Sequence, residues 1–166
     1  MRVGVRLAAL DEAPVVREIM LIAYAEYQGA LPVDSGAHVE TVDDVLSAMR
    51  QGGAVLALDG EQPVGSARFT PEEEHLYVGR VAVLPSHRRR GVASAIMRFL
   101  EEVAPSHGRS AIRIGVRDSL PGNVGLYQSL GYEVVSIDPH PRGADRVWTM
   151  VKRCDEATGR DGPRRS

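Results

Sequence analysis

Seven residues, Arg88-Arg89-Arg90-Gly91-Val92-Ala93-Ser94, join a stretch with strand character to a stretch with helix character, and this junction constrains the chain more than any other feature. Upstream, residues 76–84 (LYVGRVAVL) form a mostly apolar run closed by Pro85, which predicts a strand. Downstream, Val92, Ala95, Ile96, Phe99, Leu100 and Val103 recur at i, i+3, i+4, i+7, i+8 and i+11, the spacing of one helix face. A glycine at such a junction lets the backbone come close to a ligand. The first helical turn then offers unpaired N–H groups and the positive end of its dipole to an anion. Three arginines stand beside it. The expectation is a phosphate cradle.

The three arginines are a local feature. The whole chain of 166 residues carries a net charge of −2, so its bulk electrostatics give no reason to expect nucleic-acid binding. A module reading RNA or DNA through Arg88, Arg89 and Arg90 would need a broader basic face. The length suits one domain, assigned to residues 1–152, with residues 153–166 so poor in apolar side chains that they are expected to form a disordered tail. Cys154 is the single cysteine, which excludes an intrachain disulfide and a cysteine-based zinc knuckle. The five histidines show no metal-ligand spacing, so no metal is expected. No apolar run is long enough to span a membrane and the N-terminus lacks a sustained signal-peptide core, so a cytoplasmic setting is expected.

Periodicity and punctuation give the remaining elements. Residues 3–7 read as a strand, and Asp11 can cap a helix whose first turn tolerates Pro14 and which runs to about Gln28. Thr41-x-x-Asp44 resembles a capping box opening a second helix, closed by Gly52 and Gly53. Residues 54–58 and 63–70 form a hairpin, and 76–84 return as the long strand. After the Gly91 helix come a strand at 110–116, a short helix opened by Gly122 and Asn123, and strands at 132–137 and 145–152. The order is β-α-α-β-β-β-α-β-α-β-β. It indicates an α/β or α+β fold with a mixed sheet, largely antiparallel at first, rather than the regular alternation of a doubly wound fold.

Arg88-x-x-Gly91-x-Ala93 fits the pattern Gln/Arg-x-x-Gly-x-Gly/Ala, the pyrophosphate loop of the Gcn5-related N-acetyltransferases. The lead-in VAVLP (residues 81–85), the helix after the loop and the segment GNVGLYQSLGY (residues 122–132) resemble that family's two central motifs. The element order is similar over roughly residues 3–152. The resemblance implies a central sheet of six to seven strands flanked by about four helices, and acetyl-coenzyme A as acyl donor to an amine acceptor. By resemblance, the amides of Arg89, Arg90, Gly91, Val92, Ala93 and Ser94 wrap the pyrophosphate, with arginine side chains including Arg88 adding charge. The pantetheine arm runs along Val81, Ala82 and Val83, at a splay between this strand and residues 112–116. The Val83 N–H polarises the thioester carbonyl, Asn123 bonds the pantetheine region, and Tyr127 protonates the departing thiolate. Residues Glu26, Tyr27 and Asp34 fall where relatives shape the acceptor pocket, and relatives often form homodimers through their late strands.

Read without the family, Tyr127 is equally a packing residue, Asn123 a helix cap, and the arginine run a solvated charge cluster. The chain departs from the family at Gly79, where many relatives carry a glutamate that acts as base. Strand alternation puts His75 and Tyr77 on the Gly79 face and Glu74 on the other, unless a bulge shifts the parity. His75 is the candidate base, against its reading as an ordinary surface residue near a turn. The expected reaction is direct transfer in a ternary complex, without an acyl-enzyme. The alternative is a degenerate member that binds acyl-coenzyme A as a sensor or scaffold.

Overall fold

Seven strands and four α-helices follow one another through residues 2–154, the part of the chain that the computed structural model describes. They are β1 (Val3–Leu7), α1 (Ala13–Tyr24), α2 (Val42–Gln51), β2 (Gly53–Asp59), β3 (Gln62–Pro71), β4 (His75–Val83), α3 (Val92–Ser106), β5 (Ala111–Arg117), α4 (Pro121–Ser129), β6 (Glu133–His140) and β7 (Gly143–Arg153). The strands make one sheet in the order β1-β2-β3-β4-β5-β7-β6. Every neighbouring pair is antiparallel except β4 and β5. The fold class, strand number, helix number and element order agree with the expectation.

Side-chain alternation along the strands makes two cores. Val55, Ala57, Val64, Ala67, Phe69, Leu76 and Val78 turn to one face, where they pack with Ile96, Met97 and Leu100 of α3 and with Val124 and Tyr127 of α4. Ala54, Leu56 and Ala82 turn to the other, against Val16, Ile19, Met20 and Ala23 of α1 and Val45 and Met49 of α2. The helix starts follow local chemistry. Thr41 Oγ1 accepts the Asp44 N–H at 3.1 Å and the Asp44 carboxylate accepts the Thr41 N–H at 2.9 Å, a complete capping box. Asp11 does not cap α1. Leu10–Glu12 form a 3-10 turn in which the Glu12 carboxylate accepts the Ala9 N–H at 2.8 Å while pairing with Arg6. The helix proper ends at Tyr24 and passes into a 3-10 turn at Ala25–Tyr27.

Two irregularities in β4 position the site. Gly79 pairs with Arg68 and Ala82 with Ser66, so Arg80 and Val81 together oppose Ala67. This is a bulge, and Arg80 at its head has φ 51°. It reverses the facing of the strand: Leu76 and Val78 point to the α3 side before it, as do Val81 and Val83 after it. The second irregularity is that β4 and β5 pair only from His75 to Val78 and from Ala111 to Ile114. Beyond that point the two strands part. At the end of the chain β7 runs through Arg153 and Cys154 is buried against the α3 core, so the first two residues of the expected tail belong to the fold; residues 155–166 lie outside the described residues. No helix among the described residues is long and apolar enough to cross a membrane.

Candidate active site

The parting of β4 and β5 opens a cleft of about 700 Å³, within the size range of small-molecule sites. One wall is the start of α3. Gly91 is its N-cap with φ 82°, a conformation glycine adopts without steric cost, and a Cβ built there would meet nothing within 4 Å. The first helical bond runs from the Ala95 N–H to the Gly91 carbonyl at 3.0 Å. The N–H groups of Val92, Ala93 and Ser94 precede it and have no intrahelical acceptor. All four residues from Gly91 to Ser94 line the cleft. Arg89, with φ 62°, lines it too, exposed and without an ion pair among the described residues.

The other two arginines behave differently. Arg88 donates to both Glu26 carboxylate oxygens at 2.8 and 2.9 Å and to the Ala23 carbonyl at 2.8 Å. It therefore ties the loop to the C-terminal end of α1, where a cation meets the negative end of the helix dipole. Arg90 is exposed and does not line the cleft. Of the three arginines, Arg89 is the one that both lines the cleft and has no ion pair among the described residues.

The opposite wall is α4. Leu120 is its N-cap and Pro121 its first residue, so Asn123 is not the cap; its backbone N–H bonds the Leu120 carbonyl at 3.0 Å. Asn123 and Tyr127 stand one turn apart on the face that lines the cleft. Among the described residues, neither the Asn123 side-chain amide nor the Tyr127 hydroxyl makes a hydrogen bond. The Tyr127 ring is buried and meets Tyr132 edge-on with centroids 5.9 Å apart. Burial pushes its pKa well above the ordinary tyrosine value, and the neighbouring Tyr24 and Tyr27 add to the rise, so it is a neutral phenol at physiological pH.

Between the walls runs the edge of β4 that β5 leaves unpaired beyond Val78. The Leu84 N–H donates to the Val64 carbonyl at 2.9 Å, and backbone groups alternate along a strand, so the Val83 N–H faces the open side. On the same side the Tyr24 hydroxyl donates to the Val81 carbonyl at 2.9 Å and Arg88 Nε to the Val83 carbonyl at 3.4 Å; burial raises the Tyr24 pKa to about 12. His87 lines the cleft, but both its ring nitrogens are engaged, Nδ1 with Ser86 Oγ at 2.8 Å and Nε2 with Asp59 at 3.1 Å.

At the far end, the Tyr77 ring lies over Gly79, its Cε2 3.2 Å from where a Cβ would stand. His75 starts β4, pairs with Ala111 and does not line the cleft. The bulge follows Gly79 rather than preceding it, so Glu74 gains no place there either. No aspartate or glutamate among the described residues lines the cleft. Acidic groups stand behind the lining residues, and one of them, Glu40, carries no sequence signal that would single it out. Its two oxygens accept Arg68 Nη1 and Nη2 at 2.8 and 2.9 Å and Arg80 Nε and Nη2 at 3.3 and 3.1 Å. Burial alone would raise the Glu40 pKa, but the two arginines outweigh it and hold the carboxyl below its ordinary value. Of the residues expected near the acceptor, Tyr27 lines the cleft, Glu26 serves Arg88, and the Asp34 carboxylate accepts the Gly29 N–H at 3.3 Å. The left-handed backbone at Arg80 and at Arg89 costs about 1–2 kcal/mol each, and both sites of strain border the cleft.

The Acetyltransferase (GNAT) family profile matches residues 17–132. The uncharacterized N-acetyltransferase YjcF of Bacillus subtilis is 34% identical over 99 residues, which make up 60% of this chain and 69% of that protein. Two further curated relatives are spanned over 48% and 32% of their own length. Among solved structures, the fold is similar to YncA of Salmonella typhimurium, described as a putative acetyltransferase with its cofactor acetyl-CoA (TM-score 0.74, 17% identity, 93% of this chain and 95% of that one). It is also similar to an aminoglycoside 6′-N-acetyltransferase complexed with coenzyme A (TM-score 0.71, 17% identity, 93% and 97% covered). A profile that spans most of the chain, joined to a sheet that parts beside a glycine-headed helix, is sufficient: the chain belongs to the GNAT family of acetyltransferases.

Proposed function

We propose that the protein transfers an acetyl group from acetyl-coenzyme A directly to an amine, with both substrates bound together in the cleft. One observation carries this reading: the parted strands join, in one cavity, free helix N-terminal amides, an open strand edge and a buried neutral tyrosine. The donor fits the residues present. Gly91 leaves open space where a side chain would otherwise project, and the amides of Val92, Ala93 and Ser94 supply donors for a pyrophosphate, with the Arg89 guanidinium adding charge. Val81, Ala82 and Val83 offer a strand edge to the amide-rich pantetheine arm, and Asn123 has a free side-chain amide for the same arm.

A thioester supplies an acyl carbon open to nucleophilic attack. The Val83 N–H donates to its carbonyl oxygen as negative charge develops there. The amine nitrogen forms the new C–N bond, the C–S bond breaks, and Tyr127 gives its proton to the departing sulfur. The amine's own proton passes to water, because no carboxylate lines the cleft. Cys154 is buried in the α3 core, outside the cleft, and gives no support to an acyl-enzyme. A cytoplasmic setting, expected from the sequence features given above, and pairing of two copies through the late strands, implied by the family resemblance, accompany this reading.

Mixing the protein with acetyl-coenzyme A and a panel of amines, and following free thiol, tests the proposal. Thiol release that depends on both amine and enzyme is the expected result. Thermal stabilisation by acetyl-coenzyme A with no turnover on any amine would instead favour a sensor.

A further inference from the structure

Resting on that reading of the donor, we propose that the acceptor is a small amine bearing its own carboxylate, and that Arg80 is the specificity-determining residue that holds the carboxylate. The charge pattern leads to it. The acceptor end of the cleft is lined by Arg68, Arg80 and Arg117 and by no acidic side chain among the described residues. Arg117 is cancelled by Asp145 at 3.3 Å and further satisfied by the Val33 carbonyl at 2.6 Å. Arg68 and Arg80 share the single carboxylate of Glu40, so one positive charge is left over. A simple ammonium entering this end meets repulsion and no counter-ion. An amino acid is neutral overall and brings the anion that the surplus charge lacks.

Geometry selects Arg80 over Arg68. Arg68 spends both terminal nitrogens on Glu40 and its side chain is 14% exposed. Arg80 reaches Glu40 only through Nε and Nη2, both to the same oxygen, and its side chain is 32% exposed. Its Nη1 has no hydrogen bond among the described residues and remains to bind an oxygen. The bulge explains how it comes to be there. On a regular strand residue 80 would share the face of Val78 and point into the α3 core. The left-handed backbone of Arg80 turns its side chain instead to the face of Arg68 and Glu40. The bulge sets Val81 and Val83 against the α3 core, but packing gives no reason for the Arg80 donor that is left free beside the cleft. Three residues of strand, about 10 Å, separate Arg80 from Val83, a span that a small amino acid and the arginine side chain cover together.

The test uses the full chain with acetyl-coenzyme A and matched acceptors: free amino acids, their methyl esters and the corresponding decarboxylated amines, with thiol release as the readout. The free acids are expected to exceed both partners at least tenfold in kcat/KM, mainly through a lower KM. Arg80→Met should raise the KM of the acids at least tenfold and erase the preference, and Arg80→Lys should restore part of it. Esters or amines used as well as the acids would overturn the proposal while leaving the donor reading intact. Should acetyl-coenzyme A bind without turnover of any acceptor, calorimetry on the coenzyme A-saturated protein decides. N-acetyl amino acids binding at least tenfold tighter than their N-methylamides support the proposal, and equal binding overturns it. Failure of acetyl-coenzyme A itself to bind would overturn the donor reading, and this inference with it.

Discussion

Replacing Tyr127 with phenylalanine removes one oxygen that nothing in the fold uses. The hydroxyl has no hydrogen-bond partner among the described residues, while the ring's contact with Tyr132 would persist. Deleting a hydroxyl that borders the cleft and pairs with no protein group orphans no donor or acceptor, so stability should stay within about 1 kcal/mol of wild type. The chemical effect is larger. A positioned general acid is worth roughly 10²–10⁴ in rate, and the leaving group here is a thiol, an intrinsically weak base with an ordinary pKa near 8.5. The lower end applies: kcat should fall about a hundredfold, equivalent to about 2.7 kcal/mol. Thiol release at saturating amine measures kcat, with calorimetric affinity for acetyl-coenzyme A and a thermal melt in parallel. Affinity should stay within about twofold and the melting temperature should change little. The pH dependence adds a second arm. Burial keeps Tyr127 protonated beyond the ordinary tyrosine pKa of about 10, so wild-type kcat/KM should climb with the fraction of free amine and show no falling limb below that pH. A variant with wild-type kcat, or a falling limb near pH 8–9 that survives the substitution, would refute the assignment.

Gly91→Val forces a β-branched residue to φ 82° and sets a side chain in the space assigned to the pyrophosphate; it should cost about 1–3 kcal/mol and weaken coenzyme A binding at least a hundredfold by calorimetry. Glu40→Gln should lower stability in urea by about 2 kcal/mol by leaving two partly buried guanidinium groups without their carboxylate. Because the Glu40 pKa is depressed in the folded state, its contribution is present above the ordinary carboxylate pKa of about 4.3 and is lost at lower pH, so the variant and wild type should converge on acidification. Burial raises the pKa of Tyr127 and, with Glu101 alongside, of Tyr132; the unfolded chain therefore releases those protons first, and stability should fall above about pH 10 by up to about 1.4 kcal/mol per pH unit per tyrosine. A urea midpoint that stays flat from pH 10 to 11 would contradict the burial of these two phenols.

The donor half of the site was legible because its determinants are local. Gly91, the small residues after it and the apolar spacing of Val92 to Val103 lie within one strand–loop–helix unit, and the resemblance at Asn123 and Tyr127 lies within one short helix. The fold order was legible for the same reason, since apolar periodicity, glycine and proline punctuation and the Thr41–Asp44 capping box marked most elements. What could not be read depends on contacts between distant segments. Arg88 lines the cleft but spends its terminal nitrogens on Glu26 and on the Ala23 carbonyl, more than sixty residues earlier. Glu40 sits in a loop with no motif, and its partners Arg68 and Arg80 belong to two adjacent strands. The parity rule put His75 on the face of Tyr77 and Gly79, but the cleft reaches along β4 only to Tyr77, and residue 75 does not line it.

Gly79 is therefore more than a missing base. The Tyr77 ring would crowd a side chain at 79, its Cε2 standing 3.2 Å from the Cβ position, and the Arg113 guanidinium lies 4.8 Å from the ring centroid. A carboxylate introduced there would stand on the face of Arg68 and Arg80, the same two cations that hold Glu40 below its ordinary pKa. Such a group would be a poor proton acceptor near neutral pH, since a base works best with a pKa near that of its surroundings. Cationic lining and carboxylate base are thus in conflict at this end of the cleft. The arrangement resolves the conflict in favour of the cations: the charge that would silence a base is the charge that, in the reading proposed above, holds an anionic acceptor while the amine loses its proton to water.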